Sequence, residues 1–410
     1  MGIIKVQKGT KDILPSDMPV WHFMEEKANE IFTKYGAKEI RTPIFEATEL
    51  FARGVGDTTD IVNKEMYTFE KSDRSLTLRP ENTAGVVRSF IENGMHRLSA
   101  PVKLWYKGPM FRYERPQAGR QRQFHQVGVE VFGIKQPTAD AEVILMAVNY
   151  LKELGLNDLT VELNSLGCPK CREEFKTKLK EVIRPYLPQL CEDCQTRFDK
   201  NPLRLLDCKS PECQGIYAKP EIQAVIQGDF ICEECSNHFE ELLGYLDALG
   251  IKYERNKLLV RGLDYYNRTV FEIKSNNLGS QNAVCGGGRY DTLVKNLGGE
   301  DVPAIGFAMG MERLASLLGE RQDKKLKAYI VSNNTLEAIK LAEELRSQNI
   351  TCEFDLTNKK FVKQLEKASK VADFALILGE DEIANNQVTV KNLETGEQKT
   401  VERNKILSLI

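Results

Sequence analysis

Residues 108–133 read GPMFRYERPQAGRQRQFHQVGVEVFG, and this stretch decides the fold of the larger part of the chain. Hydrophobic residues alternate before and after a polar middle, which predicts two β-strands joined by a loop. An antiparallel hairpin of this kind brings Arg112 and the residues near Gln126 and Glu130 to one surface. Three further arginines lie in the loop: Arg115, Arg120 and Arg122. Because guanidinium groups match phosphate oxygens, the hairpin predicts a phosphate-binding surface; the alternative is a solvated loop with surface ion pairs.

The segments before the hairpin predict more strands around a few helices. Apolar residues fall at helical spacing in residues 21–35, and Gly36 favours a helix end there. Residues 40–44 alternate as in a strand, and Pro43 restricts that strand to an edge or an interface. Further strands are predicted at three places: residues 66–69, 75–78 and 102–111. Because the strands do not alternate regularly with helices, an antiparallel sheet flanked by helices is favoured.

A cysteine-rich segment between residues 165 and 240 interrupts this pattern, and the strand pattern returns in residues 258–273. Eight of the ten cysteines lie there, as three C-x-x-C pairs and one wider pair: Cys168 and Cys171, Cys191 and Cys194, Cys232 and Cys235, and Cys208 with Cys213. Two such pairs close together are typical of tetrahedral zinc. Eight thiols could supply two four-cysteine sites, although the spacing leaves their pairing open. The alternative is a set of free thiols in a surface insertion.

The polar run GERQDKKLK at residues 319–327 predicts a linker, and a more regular pattern follows it. Strands and helices then alternate: strand 328–332, helix 335–348, strand 350–354, helix 361–369 and strand 374–378. A hairpin formed by residues 387–391 and 399–402 completes the pattern, with its turn at Thr395-Gly396. This order predicts a small α/β domain with a mainly parallel sheet. Five lysines between residues 359 and 370 either meet RNA phosphates or form a solvated face.

The composition of the 410 residues, 41% hydrophobic and 28% charged, is that of a globular protein with two or three domains. No run of about 18 consecutive apolar residues is present, so we expect no membrane-spanning helix. The opening MGIIKVQKGTKDILP lacks the apolar stretch of a secretory signal, and the cytoplasm is the expected compartment. The net charge of −2 gives no bulk support for nucleic-acid binding but is compatible with a local basic groove. The absence of a G-x-x-x-x-G-K-[ST] motif excludes a P-loop ATPase.

Six blocks of sequence resemble the histidine-specific members of the class II aminoacyl-tRNA synthetases. Residues 111–126 (FRYERPQAGRQRQFHQ) resemble the motif 2 loop of that class. Residues 259–273 (LVRGLDYYNRTVFEI) resemble the signature peculiar to histidyl-tRNA synthetases. The other four blocks are residues 36–46, which resemble motif 1, residues 302–314 (VPAIGFAMGMERL), which resemble motif 3, and the family blocks 76–85 (LTLRPENTAG) and 285–291 (CGGGRYD). Asn82 stands where many relatives carry glycine.

The resemblance implies an α+β fold whose catalytic sheet has about six antiparallel strands flanked by helices. It implies a catalytic domain over residues 1–320, with residues 165–240 as a cysteine-rich insertion, and an α/β anticodon-binding domain over residues 325–410. The expected reaction joins L-histidine and ATP, with Mg²⁺, into histidyl-adenylate and then transfers histidine to the 3′ end of tRNA(His). Motif 1 implies a homodimer, and no membrane is involved.

The resemblance also implies roles for individual residues. Arg112 would bind the α-phosphate of ATP, and Arg261 would lie between that phosphate and the histidine carboxylate, which makes these two the expected catalytic residues. The rest of the ATP site would be formed by Glu114, Phe124 and Arg313. Histidine would be bound by seven residues: Glu81, Thr83, Gln126, Glu130, Tyr265, Tyr266 and Tyr290. The tRNA would be contacted by Gln117 and Arg122.

A non-catalytic relative, the synthetase-like regulatory subunit of ATP phosphoribosyltransferase, is the main alternative. Such a paralogue is expected to lack the C-terminal domain and parts of the ATP and histidine sites. Here both arginines expected to be catalytic, Glu114 and Arg313 are present, and so are the residues after 325. Without the resemblance, residues 261–267 would be a buried strand with a β-bulge at Gly262. Glu81 and Thr83 would then be ordinary first-turn residues of a helix.

Overall fold

The structure, a computed structural model, describes residues 2–57, 59–114, 120–228, 230–275, 283–322 and 325–410. The chain forms two compact units, Met1–Arg321 and Gln322–Ile410. Each unit has its own sheet and its own hydrophobic core. None of the helices in the described ranges has the length and hydrophobicity that crossing a membrane requires.

The strands of the first unit are β1 (Lys38–Glu39), β2 (Phe45–Ala47), β3 (Tyr67–Lys71), β4 (Arg74–Leu78), β5 (Val102–Phe111), β6 (Gln123–Phe132), β7 (Leu159–Ser165), β8 (Tyr253–Arg255), β9 (Asn267–Ser275), β10 (Ala283–Arg289) and β11 (Ala304–Gly310). Eight of these described strands form one sheet in the order β1-β5-β6-β11-β10-β9-β7-β8. Its six central strands pair antiparallel, and the short edge strands β1 and β8 pair parallel. The prediction of an antiparallel sheet of about six strands is therefore confirmed. β2, β4 and β3 form a small separate sheet.

The predicted hairpin is formed by β5 and β6, which pair from Val102 opposite Phe132 to Phe111 opposite Gln123. β5 has the bounds predicted for this strand, residues 102–111, and Tyr113 lies beyond its end. β11 pairs with the other edge of β6. The hairpin therefore lies inside the sheet, with a neighbouring strand on each side.

The helices of the first unit are α1 (Met18–Lys34), α2 (Thr48–Val55), α3 (Thr83–Glu92), α4 (Pro137–Glu153), α5 (Pro169–Ile183), α6 (Glu192–Lys200), α7 (Pro211–Tyr217), α8 (Pro220–Ile226), α9 (Glu233–Ala248), α10 (Leu293–Asn296) and α11 (Met311–Leu318). Buried residues of α1, α4, α9 and α11 share one core with the sheet, and those of α3 and α10 share another. Strand residues alternate between the two cores: Trp105 belongs to the first, and Leu104 and Tyr106 to the second. The large sheet is therefore covered by helices on both faces.

Helix α1 shows how the local sequence determines an element. A proline occupies its first turn, where the missing N–H has no partner to lose. Its buried residues recur at helical spacing and pack against the sheet: Trp21, Met24, Ala28, Ile31 and Phe32. Gly36 follows with a φ of +79°, a conformation that glycine adopts readily. The helix predicted for residues 21–35 is confirmed and begins three residues earlier.

Two strand predictions were wrong. Residues 40–44 contain no strand, because Pro43 cannot donate a hydrogen bond and the side chain of Arg79 takes the carbonyl of Thr42 at 3.1 Å. In residues 258–273 only the part from Asn267 onward is a strand. The residues before it are irregular, because side chains bind their carbonyls: Asn164 donates to Leu259, and Arg172 donates to Asp264 and Tyr266.

The cysteine-rich segment forms the helical insertion that the sequence predicts. Helices α5 to α8 lie between strands β7 and β8, and their buried residues form a separate core. Leu179, Phe198, Leu205 and Ile222 are among its buried side chains. The insertion is therefore a small folded body that leaves the sheet after β7 and returns to it through α9.

The second unit is an α/β structure with strands β12 (Leu326–Ser332), β13 (Cys352–Phe354), β14 (Ala372–Leu378), β15 (Gln387–Asn392) and β16 (Gln398–Glu402), and helices α12 (Thr335–Ser347), α13 (Phe361–Val371) and α14 (Glu380–Ala384). The sheet order is β13-β12-β14-β15-β16. Each predicted strand and helix is present. The prediction of a mainly parallel sheet was wrong, because the C-terminal hairpin adds two antiparallel pairs to two parallel ones.

Candidate active site

A small cavity lies on the sheet between α3 and the segment that precedes β9. Its volume is about 170 Å³. All seven residues expected to bind histidine line it: Glu81, Thr83, Gln126, Glu130, Tyr265, Tyr266 and Tyr290. They come from three separate sequence blocks and from the hairpin, so the fold brings together residues more than 200 positions apart.

Glu130 is the buried carboxylate at the floor of this cavity, and only 1% of its surface is exposed. The Tyr290 hydroxyl donates a hydrogen bond to its Oε2 at 2.5 Å, and the Thr83 hydroxyl donates to its Oε1 at 2.8 Å. Burial raises the pKa of Glu130 to about 8, although the two hydroxyl donors oppose that shift. A carboxyl group with this pKa can accept or release a proton near neutral pH.

Glu81 is a second buried carboxylate, at the start of α3. Its oxygens accept the backbone N–H groups of Thr83 at 2.7 Å and Ala84 at 2.9 Å, so it satisfies two donors that the helix itself leaves unpaired. Burial raises the pKa of Glu81 as well, while these backbone hydrogen bonds lower it. Its negative charge also raises the pKa of Glu130. The cavity therefore has acidic groups at two points of its wall.

Three tyrosines also line the cavity, and one of them, Tyr290, is bonded to Glu130. The rings of Tyr265 and Tyr266 lie 4.6 Å apart, and Tyr265 meets Tyr290 edge-on at 5.5 Å between centroids. Burial raises the pKa of Tyr266 to about 12, so its hydroxyl stays protonated at neutral pH and can donate a hydrogen bond. The wall therefore offers flat apolar faces together with hydroxyl donors.

Glycines on the strands make the space for these side chains. Gly306 on β11 lies opposite Glu130, and a Cβ atom there would collide with the Glu130 carboxylate. Gly286 on β10 lies beneath Arg261, and a Cβ atom there would collide with the guanidinium. Gly286 and Gly306 are thus required by the close approach of a side chain.

A larger, polar cleft of about 670 Å³ adjoins the small cavity. The residues expected to bind ATP all line it: Arg112, Glu114, Phe124 and Arg313. The guanidinium of Arg112 lies 5.3 Å from the centroid of the Phe124 ring and is anchored by the carbonyl of Pro80 at 2.8 Å. Arg313 donates to the carbonyl of Ala283, and burial lowers its pKa. The cleft has arginines that can bind the phosphates of a nucleoside triphosphate and an aromatic face on which its base can stack.

Arg261 lies where the two spaces meet. It lines both of them, as do Arg112 and Gln126. An ion pair with Glu272 holds one end of its guanidinium. Among the described residues, Arg261 Nε and Gln126 Oε1 are buried without a hydrogen-bond partner. Buried polar atoms without partners are uncommon, so these two mark a position where a polar ligand would be bound.

Tyr106, Glu272 and Glu65 are three residues of the site that sequence reasoning missed. Tyr106 lines the small cavity, and its hydroxyl donates to Glu130 at 3.4 Å. The strand alternation of β5 could have identified it, because Tyr106 and Leu104 fall on one face. Glu272 holds Arg261, and Glu65 lines the polar cleft. No motif pointed to Glu65, and Glu272 was quoted only as part of the signature block.

Two residues of the hairpin loop, Gln117 and Arg122, are expected to contact tRNA. Gln117 lies outside the described residues, as does Arg115. The guanidinium of Arg122 lies 3.8 Å from the Tyr113 ring centroid and donates to the carbonyl of Lys8 at 3.4 Å. Arg122 is not among the residues that line the two described spaces, and its role remains a prediction.

Asn82 supports the loop before α3. Its side-chain oxygen accepts hydrogen bonds from Thr42 at 2.6 Å and from Arg79 at 3.2 Å. Its φ is −116°, so the position has no need of glycine's left-handed conformation. Asn82 is therefore a structural residue next to the site, and it does not line the small cavity.

The eight cysteines of the insertion form two groups of four. We name Cys168, Cys171, Cys232 and Cys235 the neck cluster, and Cys191, Cys194, Cys208 and Cys213 the inner cluster. Within each group the four sulfurs lie within 4.8 Å of one another. All ten cysteines are described, and each is a free thiol. The structure thus gives the pairing that the spacing left open, and the two sets of four sulfurs fit tetrahedral zinc.

Comparison with known proteins accounts for both units. The sequence model of the family described as Histidyl-tRNA synthetase matches residues 9–170 and 221–314. That of the Anticodon binding domain matches residues 327–410. The chain belongs to the histidyl-tRNA synthetase family. The α+β fold expected for that family, with its C-terminal anticodon-binding domain, is the fold observed.

Individual members of the histidyl-tRNA synthetase family match over nearly the whole chain. The "Histidine--tRNA ligase" of Desulfitobacterium hafniense is 50% identical over 405 residues, which cover 96% of this chain and 95% of that protein. The protein of the same name from Thermosipho melanesiensis is 50% identical over 410 residues, covering 98% and 96%. The crystal structure of the apo histidyl-tRNA synthetase of S. aureus is 38% identical, covers 99% of both chains and has a TM-score of 0.81.

Proposed function

We propose that the chain is a histidine–tRNA ligase. It activates L-histidine with ATP to histidyl-adenylate, releases pyrophosphate and transfers the histidine to the 3′ end of tRNA(His). The observation that carries this proposal is the meeting of two spaces at one arginine. Arg261 lines a small cavity with buried carboxylates and tyrosines and also a polar cleft with arginines and an aromatic ring.

Histidine recognition is assigned to the small cavity. Glu130 and Tyr266 contact the imidazole, because a ring N–H needs an acceptor and a ring nitrogen lone pair needs a donor. Glu81, Thr83 and Gln126 hold the α-amino end, and Tyr265 and Tyr290 complete the wall around the ring. An apolar amino acid would leave Glu130 buried without its partner, which in sites of this kind discriminates by about 10⁴ to 10⁵.

Activation is assigned to the junction between cavity and cleft. The reaction joins a carboxylate to the α-phosphorus of ATP, and two anions repel one another. Arg261 and Arg112 line the junction from two sides and would offset that repulsion in the transition state. Glu114 and Phe124 hold the adenine, and Arg313 holds the γ-phosphate at the far end. The reaction needs charge and position, and no protein nucleophile takes part.

Mg²⁺ is proposed to bind with ATP. Glu65, Glu114 and Glu272 are among the acidic residues that line the polar cleft, and carboxylate oxygens are ligands that Mg²⁺ accepts. Mg²⁺ neutralises phosphate charge when it is bound with the nucleotide. The eight cysteines of the insertion are proposed to hold structural zinc, one ion in each cluster.

The regulatory-subunit alternative is not favoured. A paralogue without catalytic activity would be free to lose the arginines of the ATP site. Here Arg112, Arg261 and Arg313 all line the cleft. A paralogue without tRNA-binding function would not need the second unit, whose residues 327–410 match the anticodon-binding domain.

The domain limits and tRNA contacts are also proposals. We place the catalytic domain at residues 1–320, with residues 165–240 as the insertion, and the anticodon-binding domain at residues 325–410. The division into units at Arg321 and Gln322 supports these limits. Gln117 and Arg122 are proposed to meet the end of tRNA(His), and the lysines of α13 its phosphates.

A homodimer in the cytoplasm is the proposed state. Residues 36–46 would form the interface, as their likeness to motif 1 implies. Ile44 and Phe45 support this assignment, since 42% and 55% of their surfaces are exposed and apolar side chains of this size usually avoid water. Sedimentation at twice the mass of one chain would support the dimer, and sedimentation as a single chain would contradict it.

The proposed function is tested by ATP–pyrophosphate exchange with each of the twenty amino acids. We expect histidine alone to support exchange. Exchange with a different amino acid would refute the specificity assigned to Glu130, and no exchange with any amino acid would favour the regulatory subunit.

A further inference from the structure

We propose that the neck cluster is a zinc-held clamp that positions the backbone of residues 264–268 and thereby sets the affinity for histidine. The part of this proposal that concerns histidine affinity rests on the proposed function. The metal content and the local backbone protection can be measured without it.

The neck cluster joins the two ends of the insertion. Cys168 and Cys171 lie at the start of α5, just after the chain leaves β7, and Cys232 and Cys235 lie at the start of α9, where it returns. The backbone N–H of Cys232 donates to the sulfur of Cys171 at 3.1 Å, so the two ends already touch. In a tetrahedral zinc site with bonds of about 2.3 Å the sulfurs lie about 3.8 Å apart. The spread of up to 4.8 Å therefore needs only a small contraction.

Helix starts favour thiolate ligands in this arrangement. Cys168 and Cys232 are the N-cap residues of α5 and α9, and the second cysteine of each pair lies in the first turn. The positive end of a helix dipole stabilises a nearby thiolate. Four thiolates nevertheless repel one another, and a divalent cation removes that repulsion. The cation therefore adds direct ligand bonds between the two ends of the insertion, beside the N–H···S hydrogen bond and the contacts that Arg268 makes with both ends.

Two residues connect the neck cluster to the histidine cavity. Arg172, directly after Cys171, donates to the carbonyls of Asp264 at 3.3 Å and Tyr266 at 2.8 Å. Arg268 exchanges backbone hydrogen bonds with the residues just before Cys168, at 2.7 Å to Leu166 and 2.8 Å to Gly167. Its side chain pairs with Glu234, between the other two cysteines, at 2.6 Å.

These contacts hold both sides of the tyrosine pair. Arg172 binds the carbonyls on either side of Tyr265, and Arg268 follows Tyr266 by two residues. Arg268 also has a φ of +47°, a conformation that a non-glycine residue keeps only when its surroundings enforce it. The positions of Tyr265 and Tyr266 in the cavity therefore depend on an intact neck.

The first measurement is metal content by mass spectrometry of the purified full-length chain. We expect two zinc ions per chain in the wild type, and about one in Cys232→Ser and in Cys208→Ser, which remove a ligand from the neck and inner clusters respectively. Cys352→Ser, in the other unit, removes a thiol that lies outside both clusters and should keep both ions. Fewer than two ions in the wild type, or two in Cys232→Ser, would overturn the proposal.

The second measurement is hydrogen–deuterium exchange of the amides in residues 264–268. Cys232→Ser should exchange faster there, and so should the wild type after zinc is removed with a chelator. Arg172→Met should exchange faster while keeping both zinc ions, because it cuts the connection and leaves the cluster intact. Unchanged exchange in the zinc-depleted wild type would overturn the proposal, whether or not the variants fold.

The third measurement separates positioning from general structure. In Cys232→Ser the KM for histidine should rise about tenfold, while the KM for ATP changes little. Cys232→His supplies another zinc ligand at an exposed position and should restore both the metal and the KM. A loss of kcat with an unchanged KM for histidine would contradict the positioning role. If the wild type shows no histidine-dependent ATP–pyrophosphate exchange, the proposed function fails. The metal content and the amide exchange still test whether zinc in the neck cluster holds residues 264–268.

Discussion

At the scale of single residues, the surroundings of Arg261 hold its guanidinium in one position. Glu272 holds one end of its guanidinium, Gly286 leaves room for it, and its Nε is buried without a partner among the described residues. An arginine fixed in this way needs no rearrangement when negative charge develops beside it. We therefore expect Arg261 to stabilise the transition state and to contribute little to the binding of histidine.

We expect Arg261→Ala to lower the rate of histidine-dependent ATP–pyrophosphate exchange by about a hundredfold or more. The circular dichroism spectrum and the binding of histidine should change little, because the tyrosines and carboxylates of the cavity remain. Arg255→Ala removes an exposed arginine of the same unit and serves as the control. Near-normal exchange by Arg261→Ala would remove this residue from the chemistry.

The pKa of Glu130 gives a prediction about pH. Its value of about 8 lies above the ordinary 4.5, so its contribution to the stability of the ligand-free chain is complete below about pH 4.5 and is lost as the pH rises through 8. The ionised carboxylate is the stronger acceptor for an imidazole N–H. Saturating histidine should therefore raise the melting temperature more at pH 8.5 than at pH 6.5.

The matched variant for this prediction is Glu130→Gln, which has nearly the same shape and does not titrate. It should bind histidine weakly, and its small thermal shift should be the same at both pH values. A wild-type shift that does not change between pH 6.5 and 8.5 would show that Glu130 keeps its proton when histidine binds.

At the scale of secondary-structure elements, the glycines of β10 and β11 decide whether the strands can form a cavity. Gly306→Ala would place a Cβ atom against the Glu130 carboxylate. We expect histidine binding to weaken by about tenfold or more, with a cost in stability of about 1–3 kcal/mol from overpacking. Calorimetric titration with histidine and a thermal melt measure the two effects.

Gly244→Ala is the control for this substitution. Gly244 is exposed in α9 and has open space where the Cβ atom would lie. Alanine in a helix interior is favourable by about 1 kcal/mol, so this variant should be slightly more stable and should bind histidine normally. Equal histidine affinity and equal melting temperature in the two variants would show that the close approach at Gly306 is not essential.

The elements also show what the sequence could predict. The hairpin β5–β6 and the strands and helices of the second unit follow from alternation and helical spacing, which are local properties. Residues 259–266 do not, because their carbonyls are bound by Asn164 and Arg172 from distant parts of the chain. Glu65 was missed because no motif marks it and only the fold brings it to the cleft, whereas the alternation of β5 could have identified Tyr106.

At the scale of the whole molecule, the two units have separate cores and separate sheets. We therefore expect a chain ending at Arg321 to keep its fold and its histidine-dependent ATP–pyrophosphate exchange. Charging of tRNA(His) should fall strongly, because the residues matched to the anticodon-binding domain are missing. Loss of exchange together with charging would show that the first unit does not function alone.

Six sequence blocks that resemble one family predicted the fold of the first unit, and the alternation of strands and helices predicted an α/β fold for the second; the family comparisons confirm both. The grouping of the eight cysteines into two clusters could not be predicted from the sequence, because their four pairs can combine in several ways. Only the path of the insertion brings Cys168 next to Cys232, 64 positions later in the chain. The nesting of one cluster inside the other is therefore a property of the folded molecule.

The most direct test of the proposed activity is the transfer of radiolabelled histidine to tRNA by the full-length chain with ATP and Mg²⁺. We predict that label accumulates on tRNA(His), that no other tRNA is charged, and that Arg261→Ala abolishes most of the signal. No transfer by a folded wild-type chain, or transfer of a different amino acid, would contradict the account.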